Sequence, residues 1–228
     1  LLLLLVFFVR CSVTKHNTDF GALTIMTYNI HHANPPSKPN FIDIEAIAAV
    51  INKEKPDVVV LQEVDVNTGR SKLNEAVVLA EKTKMNFYFA KAIDHDGGDY
   101  GVAILSKYSL SNGKTHKLPT LEGTNGEPRV LATANITLNG KQLTIACTHL
   151  DAQRSDTNRI LQINAIMDIL KRETTPVIIA GDLNATPGGT VINTLDKNFT
   201  RSCLQNCAFT IPQVSPTKEI DFIAFKPS

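Results

Sequence analysis

Pro176-Val177-Ile178-Ile179-Ala180-Gly181-Asp182-Leu183-Asn184 is the stretch on which the fold turns. Residues 177–180 are β-branched or aliphatic with no polar member, the pattern of a short strand buried on both faces in a layered α/β fold. The polar residues begin where that strand ends. Residues 58–61, Val-Val-Val-Leu, repeat the arrangement, with Gln62-Glu63 after them. Residues 23–30 alternate apolar and polar like a strand and carry Asn29 at the end.

Outward from these strands, Asn139-Gly140 sits between the expected strands 130–138 and 142–150, a strong short-range hairpin signal, and His149 ends the return strand. Residues 87–93 and 102–105 read as two further strands across a Gly- and Asp-rich turn, and 220–225 as the last, with Asp221 at its start. Ile44, Ile47, Ala48 and Ile51 recur at helical spacing between Asp43 and Pro56, and Leu73, Ala76, Val77 and Ala80 mark a second amphipathic helix. A third is expected over 157–171, capped by Ser155 or Asp156. No repeat or linker interrupts the series. Residues 21–228 therefore read as one α/β domain that mixes hairpins with strand-helix-strand units, behind a lead-in at 1–20.

Composition excludes several classes. Hydrophobic residues make up 43% and charged residues 20% of the 228, a globular mix and not a disordered one. The net charge of +1 gives no overall attraction to a nucleic-acid backbone. The apolar run 1–9, followed by Arg10, is too short to span a bilayer and fits the core of a secretory signal, so a secreted or periplasmic location is expected. Cys11 as a lipid-attachment site meets Arg10 where a small residue belongs. Cys147 lies in an apolar run and reads as core; Cys203 and Cys207 either pair in an oxidising compartment or stay free.

Asn29, Glu63, His149, Asp182, Asn184 and Asp221 all fall at strand ends, where ligands of layered α/β folds bind. Taken singly each has an ordinary reading: a solvated Glu, an Asp-x-Asn turn, a strand-end Asn. Taken together they suit magnesium and phosphate. Mg2+ prefers oxygen ligands, here Glu63 with Asn29 completing or orienting the shell, and Mn2+ is a substitute. His149 would donate to a non-bridging phosphate oxygen, Asp182 would orient or deprotonate the attacking water, and Asn184 would hold that water or the phosphate. Asp221, between Ile220 and Phe222, needs a partner because a lone carboxylate in an apolar strand is costly.

Six segments carry a resemblance: Met26-Thr27-Tyr28-Asn29-Ile30, Leu61-Gln62-Glu63-Val64, Gly101-Val102-Ala103-Ile104-Leu105-Ser106, Thr148-His149-Leu150, Gly181-Asp182-Leu183-Asn184-Ala185-Thr186-Pro187 and Ile220-Asp221-Phe222-Ile223. In this order the chain resembles the endonuclease/exonuclease/phosphatase superfamily. The resemblance implies a four-layer sandwich, two packed mixed β-sheets flanked by helices. It implies Glu63 as the principal magnesium ligand beside Asn29, with His149, Asp182 and Asn184 around the scissile phosphate. It also implies that Arg70 lies near the phosphate and that Asp221 pairs with a histidine of a C-terminal Ser-Asp-His segment. The sequence reaches Ser228 without that segment and starts without Met, so it reads as a fragment; His31, His32 and His116 do not match the position of the partner.

The expected activity is hydrolysis of a phosphoester, in a lipid head group, a sugar phosphate or nucleic acid, by in-line attack of an activated water. No dedicated protein partner is inferred, and a monomer is expected. A catalytically silent binding domain on the same sandwich is the alternative from another class. A two-zinc phosphoesterase needs more well-placed histidines than His149 alone.

Overall fold

The computed structural model describes residues 22–226; the apolar run 1–9 and Cys11 lie outside them. Two sheets form. The first has strand order β1-β2-β4-β3, built from β1 (Ile25–Asn29), β2 (Val58–Val66), β3 (Asn86–His95) and β4 (Gly98–Ser106). The second has order β5-β6-β7-β8-β10-β9, from β5 (Ser111–Lys117), β6 (Val130–Leu138), β7 (Lys141–His149), β8 (Val177–Asp182), β9 (Thr200–Arg201) and β10 (Asp221–Lys226). Both sheets are mixed: β1 runs parallel to β2 and β7 parallel to β8, while the other pairings are antiparallel. Helices α1 (Ile44–Glu54) and α2 (Glu75–Thr83) accompany the first sheet, α3 (Thr157–Leu170) and α4 (Thr190–Asp196) the second.

The period-two geometry of a strand explains the layers. Val58 and Val60 join Val102, Ile104, Val130, Ile145 and Ala180 in a core between the sheets, whereas Val59 and Leu61 point the other way, into a core shared with Ile47 and Ile51 of α1 and Leu79 of α2. On the far side Val177 and Ile179 pack with Ile163, Ile166 and Leu170 of α3 and Ile192 of α4. Continuous apolar runs are thus required: each residue of 58–61 and 177–180 has a hydrophobic layer to fill on one face or the other. Burying the four side chains Val58, Val59, Val60 and Leu61, all at 0% exposure, is worth roughly 6–12 kcal/mol at 1.5–3 kcal/mol each. The order helices, sheet, sheet, helices is the expected four-layer sandwich.

Local chemistry fixes the connections. The Asp43 carboxylate accepts from Ala46 N–H (3.0 Å) to start α1, and Lys55 in the left-handed conformation ends it before Pro56. Asn139 and Gly140, with φ of 51° and 76°, make the β6–β7 turn. α2 starts two residues after Leu73, because Asn74 caps it by accepting from Val77 N–H (3.1 Å). α3 ends at Leu170, and Asp156 precedes it without capping; Ser155 Oγ accepts from Thr157 N–H (3.3 Å). Among the described residues no helix is long and apolar enough to cross a membrane.

Candidate active site

Parallel pairing sets Asn29, at the end of β1, beside Gln62 and Glu63 within β2, and the end of β7 beside that of β8; the Asn29–Asp182 contact joins the two sheets into one rim. Asn29 lies opposite Gln62, and His149 opposite Asp182. β10 runs back along β8, so its first residue, Asp221, also faces Asp182. Two local devices aim the side chains. A register shift in β2 between Leu61 and Val64 gives Glu63 a positive φ of 57° and turns it out of the pleat. Gly181 lets β8 approach β7: a Cβ there would lie 2.0 Å from the Thr148 carbonyl oxygen.

The rim residues touch one another across the two sheets. Asn29 Nδ2 donates to Glu63 Oε1 (2.8 Å) and to Asp182 Oδ2 (3.1 Å), while its Oδ1 accepts from His31 N–H (3.0 Å). Both ends of the amide are engaged, so Asn29 orients the two carboxylates. Asp182 Oδ1 accepts the Asn184 N–H (2.9 Å), the expected Asx turn, and leaves Oδ2 facing the cleft. Asn184 Nδ2 donates to the Leu150 carbonyl (3.0 Å) and lies 3.1 Å from His149 Nε2, which is 3.7 Å from Asp182 Oδ2. Five of the sequence-derived residues therefore form one contiguous group.

The other two stand differently. Asp221 joins the rim, and its neighbour is Thr210, whose hydroxyl takes the Asp221 N–H (3.4 Å) and lies beside the carboxylate. Arg70 is tied to a different partner: Nε and Nη2 fork onto Asp65 Oδ2 (2.7 Å) and Oδ1 (2.9 Å), and the guanidinium lies 5.6 Å from the centre of the Tyr100 ring. Asp65 is fully buried and also accepts from Thr68 Oγ1 (2.7 Å), so Arg70 neutralises a buried charge.

Electrostatics sharpen the picture. Burial opposes ionisation of Glu63, yet the His32 ring and the Asn29 amide outweigh it and bring the carboxyl down to about 2. Asp182 moves the other way, to about 7, because it is buried and faces the charge of Asp221. His149 is pushed down to about 3 by burial and by Arg129, so its ring is neutral. Arg129 Nη1 lies 3.3 Å from His149 Nδ1 and Asn184 Nδ2 lies 3.1 Å from its Nε2, so both ring nitrogens face nitrogen donors.

Glu63, Asp182 and Asp221 line the same cleft, of about 850 Å³. Among the described residues lining it, Arg201 is the one Lys or Arg, and it is paired with Asp196 (2.8 Å). A carboxylate-lined cleft without a free side-chain cation among these residues fits a hard divalent ion, which Glu63 could hold.

Several contributors are not legible in the sequence. Arg129, which Glu127 holds at 2.6 Å, contacts His149 Nδ1 from 20 residues away. His31 and His32, left without a role beside Asp221, lie next to Glu63 instead, His32 Nδ1 at 3.7 Å from Oε2. Their adjacency to Asn29 was the available signal. Cys203 and Cys207 form a disulfide at the cleft border. Cys147 is buried and unreactive, its thiol pushed up to about 12 by burial.

A sequence model of the Endonuclease/Exonuclease/phosphatase family matches residues 26–226. Solved structures share the fold. An endonuclease/exonuclease/phosphatase from Beutenbergia cavernae superposes with a TM-score of 0.70 at 24% identity over 90% of this chain, which spans 64% of that protein's length. A mannosyl-6-phosphatase from Bacteroides thetaiotaomicron gives 0.71 at 16% identity, covering 91% of this chain and 86% of that one. The TDP2 of D. rerio, complexed with a single-strand DNA product, gives 0.69 at 18% identity, covering 90% and 84%. With its family match spanning the rim from Asn29 to Asp221, this chain belongs to the endonuclease/exonuclease/phosphatase family.

Proposed function

We propose that the rim hydrolyses a phosphoester by in-line attack of water, with a divalent cation held by Glu63. The observation that carries this reading is the Asn29 amide, which joins Glu63 and Asp182 from opposite sheets. Bound there, the cation would polarise a phosphoryl oxygen and stabilise the departing oxyanion; Mg2+ suits an oxygen ligand set. The chain's own side chains do the rest. Asn29 fixes the separation of the two carboxylates. Asp182, which lines the cleft, orients or deprotonates the attacking water. Asn184 keeps the imidazole and Asp182 in register, and His149 would donate to a non-bridging phosphate oxygen once substrate displaces the Asn184 amide from Nε2. Water enters as nucleophile, so no covalent intermediate forms on the chain.

The cleft favours small or apolar leaving groups over a polyanion. Tyr28, Pro35, Pro36, Phe209 and Ile211 line it, and its one guanidinium is already paired. A sugar phosphate or a lipid head group fits better than a nucleic acid, which gains affinity from phosphate contacts to free Lys and Arg. The Cys203–Cys207 disulfide supports an oxidising compartment, periplasmic or extracellular. The test is turnover of sphingomyelin, mannose 6-phosphate and single-stranded DNA, with added cation and with chelator. Chelation should abolish turnover, and Glu63→Gln and Asp182→Asn should each lower kcat by about 10²–10⁴-fold with the fold intact. Wild-type rates from both variants would leave the rim as a binding surface only.

A further inference from the structure

Beyond Asn29 the chain makes an unusual turn. His31, His32 and Ala33 have φ values of 47°, 44° and 53°, three consecutive left-handed residues with a Cβ. Such residues each cost roughly 1–2 kcal/mol relative to the right-handed form. Strain of this kind persists where the surroundings enforce it and clusters at ligand sites. The turn brings one ring nitrogen from each of His31 and His32 together with a Glu63 oxygen, the three donor atoms all within 4.8 Å of one another. The rings themselves lie 4.3 Å apart between centres.

The hydrogen bonding of the two rings is that of metal ligands. His31 Nδ1 lies 2.8 Å from the Asn34 carbonyl oxygen, which can only accept. The Nδ1 proton is therefore committed, and Nε2 carries the free lone pair; an imidazole pinned through its other nitrogen to a backbone carbonyl is the usual support of a metal-bound histidine. His32 Nδ1 is buried without a hydrogen bond and faces Glu63 Oε2 at 3.7 Å, an ion-pair separation beyond hydrogen-bond reach. A nitrogen removed from water without a hydrogen bond needs an explanation, and a cation between His32 and Glu63 would satisfy both groups.

We propose that the cation at Glu63 is also ligated by His31 and His32, so that the site selects a nitrogen-binding divalent ion, Mn2+, Co2+ or Zn2+, over Mg2+. The proposal rests on the hydrolytic reading above and identifies its ion. Two imidazoles and one carboxylate hold a transition ion while leaving positions open for water and phosphate. Magnesium, which demands near-ideal octahedral oxygen geometry, gains little from imidazole. Ligands about 2.0–2.1 Å from one ion lie at most about 4.2 Å apart, so a donor span of up to 4.8 Å closes with a small ring rotation.

The experiment uses the metal-free chain, with Mn2+ and Mg2+ as probes. Calorimetry gives the two dissociation constants, and pulsed electron paramagnetic resonance of bound Mn2+ reads coupling to imidazole nitrogen. Expected are Mn2+ binding at least about 10-fold tighter than Mg2+ and a nitrogen signal from the wild type. His31→Asn and His32→Asn, which tolerate the left-handed turn, should each weaken Mn2+ about 10-fold or more, spare Mg2+, and reduce the nitrogen signal; unchanged thermal unfolding of the metal-free variants excludes misfolding. Mn2+ bound with no nitrogen coupling, unaffected by either variant but lost in Glu63→Gln, would overturn the histidine ligation and leave the hydrolase reading standing. No cation binding to the wild type would overturn both.

Discussion

Glu75, the first residue of α2, is fully buried, and its behaviour with pH can be worked out from its neighbours. Burial pushes its carboxyl from 4.5 up to about 7; the Asp65 N–H at 2.9 Å from Oε2 opposes this, and the charge of Asp65 reinforces it. Oε1 is buried without a hydrogen-bond partner. Between pH 4.5 and 7 the folded state holds a proton that the unfolded state has released. Stability from this group is therefore complete below pH 4.5 and falls as pH rises through about 7. A displacement from 4.5 to about 7 corresponds to roughly 3 kcal/mol. Glu75→Gln keeps an oxygen for the Asp65 N–H and removes the titration. The variant should match the wild type at pH 4 and exceed it by roughly 2–3 kcal/mol at pH 8. Urea midpoints of both proteins across this range, at unchanged m-value, measure the difference, and titration of all other groups cancels in it. A variant less stable than the wild type at pH 8, or a difference that does not vary with pH, would refute the reasoning.

Arg70→Ala strips a fully buried Asp65 of its bidentate partner and should destabilise the fold by about 3 kcal/mol in urea unfolding; unchanged stability with a raised KM would instead place Arg70 on the substrate. Arg129→Met should let the His149 pKa rise from about 3, because a positive neighbour is gone, as read by nitrogen NMR of the ring; a ring whose titration does not move would remove Arg129 from the site.

How far the sequence could be read follows from burial. β2 and β8 are unmistakable because both faces of each meet a core, and the hairpin turn because Asn139-Gly140 accepts positive φ. β5 has the sequence Ser-Asn-Gly-Lys-Thr-His-Lys, an exposed edge strand that borrows its conformation from β6 and carries no apolar period. α4, at seven residues, is too short to display one. The same division holds at the rim. Asn29, Glu63, His149, Asp182 and Asn184 are legible as a set, each ordinary alone but all following apolar runs, although β2 continues past Glu63 to Val66. Arg129 and the two histidines are not legible, since their positions depend on a strand crossing, a bulge at Glu63 and a left-handed turn. Arg70 is a case where a polar loop residue answers a local need, the charge of Asp65.

The central claim is that one cation at Glu63 and the turnover of a phosphoester belong to the same site. A single titration of the metal-free chain tests it, recording bound divalent cation and hydrolysis of a chromogenic phosphoester in the same samples. The account predicts that the two curves superimpose and that Glu63→Gln loses both. Turnover that persists with no cation bound, or full occupancy with no turnover on any phosphoester, would contradict it.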